Sequence, residues 1–262
     1  MSVALMRSRR FAPLFWTQFL SALSDNFVEN ALVMLILFQI GGQHGATLVT
    51  IAGGVLILPY FLLSGLGGEL ADRYDKAIMA QRLKLAEIPV AAIAALGFWL
   101  HSVPILFVAL GAFGVIGALF GPIKYGILPV HLETRELPAG NALVEGATFL
   151  AILGGTIAGG LAISDGVADW PVAAAVVVLS FLCWGSSQFI PATGEAAPHL
   201  VIHKNPITST LLLLRDLKAD HRLWVGGLIT SWFWLMGAVA LSLFPPLMKD
   251  TVGGAPSVIT LG

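Results

Sequence analysis

The chain has 262 residues, 57% of them hydrophobic and 11% charged, with a formal net charge of −1. An average soluble domain is about 25% charged, so a water-soluble fold of this size could not cover so much apolar surface, and lipid is the solvent that suits it. The balanced charge gives no basic field for nucleic acid, and the single cysteine, Cys183, excludes an internal disulfide framework and offers no metal cluster; no cofactor is implied.

In chain order, Arg7, Arg9 and Arg10 precede an apolar stretch at 14–40. That stretch is far longer than the roughly 7–15 residues of a signal-peptide core, and it is read as a retained first span. Further windows of about 20 mainly apolar residues fall at 48–70, 78–100, 105–130, 138–163, 171–189 and 223–247, and an eighth starts at Ser257. Connectors 41–47, 101–104 and 164–170 hold no Lys or Arg. The alternate connectors, the N-terminal arginines and the span-end cations Arg82, Lys84 and Lys124 place 13 of the 14 Lys and Arg on one side, with Lys249 on the other. Cationic loops stay cytoplasmic, so a multi-pass inner-membrane protein with a cytoplasmic N-terminus is expected.

The longest polar segment is 190–222, with Pro191, Pro198, Pro206 and the run Arg215-Asp216-Leu217-Lys218; within it, 205–217 reads as a helix lying on the interface. The expected fold is an all-α membrane bundle. Residues 1–190 form six spans, 191–222 a cytoplasmic linker, and 223–262 the first span of a second bundle. Six spans, a long inner loop and more spans match a six-plus-six transporter plan, which makes the chain a fragment with its second half cut short.

Polar residues inside the spans carry the functional argument. In span 1, Gln18, Ala22, Asp25 and Glu29 share one narrow helical face, with Asn26 and Asn30 beside it. Two mid-span acids facing lipid as anions would cost about 5–7 kcal/mol, so they are read as lining a wet cavity, the alternative being a helix–helix hydrogen-bond patch. Span 5 repeats the pattern with Asn141, Glu145 and Thr148. Its Gly155 and Gly159, like Gly111, Gly114, Gly117 and Gly121 of span 4, have the spacing of close helix packing. Lys124 either snorkels to the interface or supplies the buried cation that the acid-bearing helices need, and the second reading is preferred. Lys84 and Glu87, three apart in span 3, could pair, and their end of the helix is read as interfacial because Gln81 and Arg82 adjoin it.

Between spans 2 and 3 lies Gly68-Glu69-Leu70-Ala71-Asp72-Arg73-Tyr74-Asp75-Lys76. By chemistry alone it is a charged turn in which Asp72 could meet a helix N-terminus, and Arg73 and Lys76 acids or anionic headgroups. The loop resembles the conserved loop of the major facilitator superfamily at Gly68, Leu70, Ala71, Asp72, Arg73 and Lys76, and departs at Asp75, where that family has glycine; a tighter or strained turn is expected there. The resemblance makes Gly68, Asp72, Arg73 and Lys76 part of a conformational latch. The runs QFLSALSDNFVENALVMLI in span 1, FGPIKYGILP in span 4 and LPAGNALVEGATFLAILGGTIAGG in span 5 look like the bacterial lysophospholipid transporters. SWFW in span 7 resembles the long members fused to an acyltransferase and an acyl-carrier-protein ligase.

That resemblance implies movement of lysophosphatidylethanolamine and related membrane lipids to the inner leaflet for re-acylation, with an acyltransferase fused or associated. Carried onto this chain it marks Asp25, Asn26, Lys124, Asn141 and Glu145. Glu29 stands where many relatives are basic or neutral, and span 7 lacks the arginine of some stand-alone members. On residue chemistry, Asp25, Glu29 and Glu145 suit an ethanolamine ammonium and Lys124 a phosphate. A proton-coupled exporter of drugs or metabolites on the same fold is the alternative, because buried acids also suit proton relay. An enzyme is not expected: none of the six histidines has an aspartate four residues on, His131 coming closest with Glu136 five on.

Overall fold

The structure, a computed structural model, describes residues 5–40, 44–163, 169–203 and 205–247. These form eight α-helices and no strand among the described residues. They are α1 (Ala12–Leu35), α2 (Gly45–Arg73), α3 (Lys76–Trp99), α4 (Val103–His131), α5 (Leu137–Ala162), α6 (Asp169–Ser187), α7 (Pro206–Ala219) and α8 (His221–Leu247); α1 continues as a π-helical turn, Ile36–Ile40. Proline stands in the first turn of α1, α4, α5 and α7, where its missing N–H would have no helical partner anyway.

Five helices are long and apolar enough to cross a membrane: Ala12–Gln39, α2, α4, α5 and Trp170–Ser187. The chain is a multi-pass membrane protein. The other two expected spans are helices of 24 and 27 residues, α3 and α8. In α3, Lys76, Arg82, Lys84 and Glu87 dilute the apolar character of the first half. The expected start of an eighth span at Ser257, and Lys204 and Lys249, lie outside the described residues.

Neighbours in sequence are seldom neighbours in space. The principal packed pairs are α1 with α5, α2 with α4, α3 with α6 and with α4, and α1 with α6. Small residues let the first two pairs close. A Cβ added at Gly155 would meet Leu23 O at 2.7 Å and one at Gly159 would strike Phe27 O, both on α1; one at Gly114 would meet Leu56 O of α2 at 2.5 Å. Side-chain bulk at these points would hold the backbones apart.

Two apolar clusters fill the bundle. One joins Phe27 through Leu37 of α1 and its π turn to Ala91, Ala94 and Phe98 of α3, with Leu110 and Val176. The other joins Leu14 and Phe15 to Ala77, Ala80 and Leu83, with Ile123 and Val144. The N-terminal halves of α1 and α3 therefore share one cluster and their C-terminal halves the other, so the two helices run in the same direction. Outward-facing apolar side chains, among them Phe61 at 72% exposure, remain uncovered, as a lipid-facing surface requires.

After α6 the chain turns back along the loop between α2 and α3. Asp75 caps α3: its Oδ1 accepts from the N–H of Ala77 (2.9 Å) and Ile78 (3.1 Å), and its Oδ2 from Thr193 (2.9 Å) and Gly194 (2.6 Å) in the linker. With φ −59° its backbone is ordinary, so the strained turn expected there does not form. Asp75, not Asp72, meets the helix N-terminus. Ala197 N–H donates to Asp72 O (2.8 Å), Arg73 to Leu200 O (3.2 Å), and His203 N–H to Glu69 (2.9 Å). Then α7, capped by Asn205, seats against α2, where a Cβ at Gly65 would meet Thr210 N at 2.5 Å.

Candidate functional site

The acid-bearing face of α1 opens on a cavity of about 210 Å³ within the bundle. From α1 it is lined by Gln18, Ser21, Ala22, Asp25, Asn26 and Glu29, the face expected from spacing with two neighbours added. Leu56 and Tyr60 of α2, Gly117, Phe120, Gly121 and Lys124 of α4, Thr148 and Ile152 of α5, and Trp234 of α8 complete the wall. Such a volume is below that of a drug-sized pocket, roughly 300–1,000 Å³. It suits a small polar group.

Local bonds orient these side chains. Gln18 donates to Thr148 Oγ1 (2.9 Å), which itself donates to Val144 O (2.8 Å), tying α1 to α5. Asn26 and Asn30 return their amides to backbone carbonyls of α1 one turn back, at 2.8 and 2.9 Å, and Asn30 also reaches Thr156 Oγ1 at 3.2 Å. Asn30 is therefore a packing contact. The hydroxyl of Tyr60 lies over Gly117, so the glycine row of α4 admits first the backbone of α2 and then this phenol, and at Gly121 it opens on the cavity.

The site is electrically mixed. Asp25 lies within electrostatic range of Glu29 and Glu87 and of Lys84 and Lys124. Lys124 in turn feels Asp25 and Glu145, and its ammonium sits 4.7 Å over the Tyr125 ring. Charges held inside an apolar bundle must compensate one another. Here two carboxylates on α1 and one ammonium on α4 face a common space.

The structure divides the sequence-expected residues. Asp25, Asn26, Glu29 and Lys124 are on the cavity wall. Asn141 is exposed and Glu145 half-buried, and neither lines the cavity; Glu145 accepts a hydrogen bond from Tyr125. Of the loop residues, Lys76 is buried beside Gly126 and 3.8 Å from Asp72, while Arg73 and Asp72 hold the linker.

The interfacial reading of Lys84 and Glu87 is overturned. Each is 1% exposed and they pair at 2.6 Å; Lys84 also donates to Ser21 (2.6 Å) and lies 4.4 Å over the Phe120 ring. Because α3 is covered by α4 and α6, its polar stripe points inward, which neighbouring Arg82 disguised. Removing one partner of such a pair costs about 3–5 kcal/mol. Sequence reasoning also missed Tyr60, Phe120 and Trp234. The SWFW run held the signal for the last: Trp234 stacks on Phe149 of α5 (centroids 5.8 Å apart, planes 4°) and closes the cavity from α8.

No family model matches the chain. Among curated proteins it is 30% identical over 244 residues to the lysophospholipid transporter LplT of Pectobacterium carotovorum, covering 88% of this chain and 54% of that one. It is 33% identical over 241 residues to LplT of Serratia proteamaculans, covering 88% and 55%, and 30% identical over 237 residues to LplT of Cronobacter sakazakii, covering 88% and 55%. The chain thus spans about half the length of the curated relatives it matches. In sequence this chain is similar to the bacterial lysophospholipid transporters over 88% of its own length and about half of theirs, and its described residues form an all-helical membrane bundle.

Proposed function

We propose that this chain supplies the headgroup cavity of a transporter that moves lysophospholipids across the bacterial inner membrane by alternating access. The observation that carries this reading is the cavity itself, with Asp25, Glu29 and Lys124 facing one space inside an apolar bundle. An amphiphile needs opposite charges for a zwitterionic head and an apolar exit for its tail. The carboxylates suit an ammonium, Lys124 suits a phosphate, and the tail stays in lipid. The relatives' names agree with this reading.

The wider setting belongs to the same proposal. The loop from Gly68 to Lys76 supports a major facilitator-type architecture, and 13 of 14 Lys and Arg on one side support a cytoplasmic N-terminus. A lysolipid delivered to the inner leaflet needs re-acylation, so an acyltransferase, fused or associated, is the expected partner.

The test is uptake of labelled lysophosphatidylethanolamine by the full-length transporter and its variants. Asp25→Asn, Glu29→Gln and Lys124→Met are expected to lower uptake about tenfold or more at normal expression. That is the scale of one charge-assisted hydrogen bond, about 1.5–3 kcal/mol. Glu145→Gln, outside the cavity wall, is expected to have the smaller effect. Unchanged uptake in Asp25→Asn and Lys124→Met together would remove the proposal.

A further inference from the structure

We propose that Glu87, held in place by Lys84, is a positioning residue for the cavity. It sets a second negative charge behind Asp25 and so biases the site toward lysolipids whose headgroup carries an ammonium. This rests on the reading of the cavity as a lysolipid headgroup site.

Neither Lys84 nor Glu87 touches the cavity, yet both are built into its back wall. The two groups that Lys84 contacts besides Glu87, the Ser21 hydroxyl and the Phe120 ring, are themselves cavity-lining. The Lys84–Ser21 bond fixes the register between α1 and α3, which run parallel. Three residues further along each helix, Glu87 comes level with Ser24, next to Asp25 in the chain. The pair is therefore a dipole whose negative end lies toward Asp25, and both members are within electrostatic range of that carboxylate.

The geometry leaves part of that charge unspent. Glu87 gives Oε2 to Lys84, while its Oε1 and the hydroxyl of Ser24 are buried with no hydrogen-bond partner among the described residues. Two apolar side chains would pack α3 against its neighbours without a bare buried oxygen. The arrangement costs stability and supplies a field. Glu87 therefore adds a buried carboxylate behind Asp25, and Lys84 covers only one of its two oxygens. Ethanolamine and glycerol headgroups bring the same phosphate, so an added negative charge separates them through the ammonium alone.

The experiment compares uptake of lysophosphatidylethanolamine with that of lysophosphatidylglycerol by the full-length transporter. In Glu87→Gln the ratio of the two is expected to fall about tenfold. In the exchanged variant Lys84→Glu with Glu87→Lys, the pair and the net charge are kept but the dipole is reversed, and the ratio is expected to fall at least as far. A merely structural pair would leave the ratio of the exchanged variant at the wild-type value, and that result overturns the inference. If neither variant accumulates, Glu87→Asp, which keeps the charge but shortens its reach, is compared with wild type in detergent by thermal shift with glycerophosphoethanolamine against glycerophosphoglycerol. A narrower margin for the amine in Glu87→Asp supports the inference and an unchanged margin overturns it. Wild-type protein that moves neither lysolipid fails the parent reading; wild-type uptake with unaltered ratios in the variants fails this inference alone.

Discussion

The carboxylate of Asp75 accepts four backbone N–H groups, two from the first turn of α3 and two from the linker after α6. Partial burial works against its charge, but these donors outweigh it and hold its pKa below the ordinary aspartate range. A depressed folded-state value stabilises the fold above the unfolded value, about 3.9, and that contribution drains as pH falls through the folded one. The protection of the Thr193 and Gly194 amides from hydrogen exchange, relative to an unfolded chain at the same pH, is therefore expected to be high at neutral pH and to be lost only below about pH 4. Asp75→Ala is expected to cost about 1–2 kcal/mol, as loss of a strong N-cap does, and to make 193–203 sensitive to protease while α3 stays helical. The sequence resemblance pointed to glycine here and hence to strain. What it could not convey is that an acid at a helix start is a cap, and that the free half of this one would find a second segment more than a hundred residues away. Lys84 and Glu87 were misjudged for a similar reason: three-residue spacing announces a pair, but only the packing of α3 between α4 and α6 decides whether that pair meets water.

At the scale of the helix, the glycines were legible and the acids only half so. Spacing of four marks a face on which two backbones can meet, and Gly155 and Gly159 against α1 and Gly114 against α2 do so. Gly155→Val is expected to force α5 away from Leu23 and Asn26, costing about 1–3 kcal/mol as overpacked sites do; a lower unfolding temperature in detergent with retained helix content would register it. For the acids, the period of 3.6 places Gln18, Asp25 and Glu29 on a single face, and that face does line the cavity. The same arithmetic applied to Asn141, Glu145 and Thr148 put three residues together, yet only Thr148 reaches the cavity. Depth separates them: Asn141 and Glu145 sit in the first third of α5, about two turns and one turn short of Thr148, and Glu145 is taken by Tyr125 of α4. Cys183 extends the point about burial. Its thiol, fully buried against Thr17 O at 3.4 Å, is expected to resist a membrane-permeant maleimide in the native protein and to react once it is unfolded. Rapid labelling of native protein would contradict the packing of α6 on α1.

For the whole molecule, composition foretold an all-helical bundle in lipid, because it is a sum over the chain and does not depend on contacts. The pairing of α1 with α5, α2 with α4 and α3 with α6 was not legible, since hydropathy says that a helix is buried and not by what. The position of α8 follows from single contacts, chiefly Trp234 stacked on Phe149. Trp234→Ala is expected to open the cavity and lower lysolipid uptake more than Trp232→Ala, whose side chain is 65% exposed; equal effects would count against α8 as part of the wall.

The pairing order also governs how such a chain is made. When α1 enters the bilayer, the helices that complete its polar face have yet to be synthesised: α3 brings Lys84 to Ser21, α4 brings Lys124, and α5, beginning at Leu137, brings Thr148. For that interval two carboxylates have only water, lipid headgroups or the insertion machinery as company. A ribosome-bound intermediate stopped after α2 should therefore hold its first span loosely, extractable by alkali, and the grip should tighten as α3 to α5 emerge.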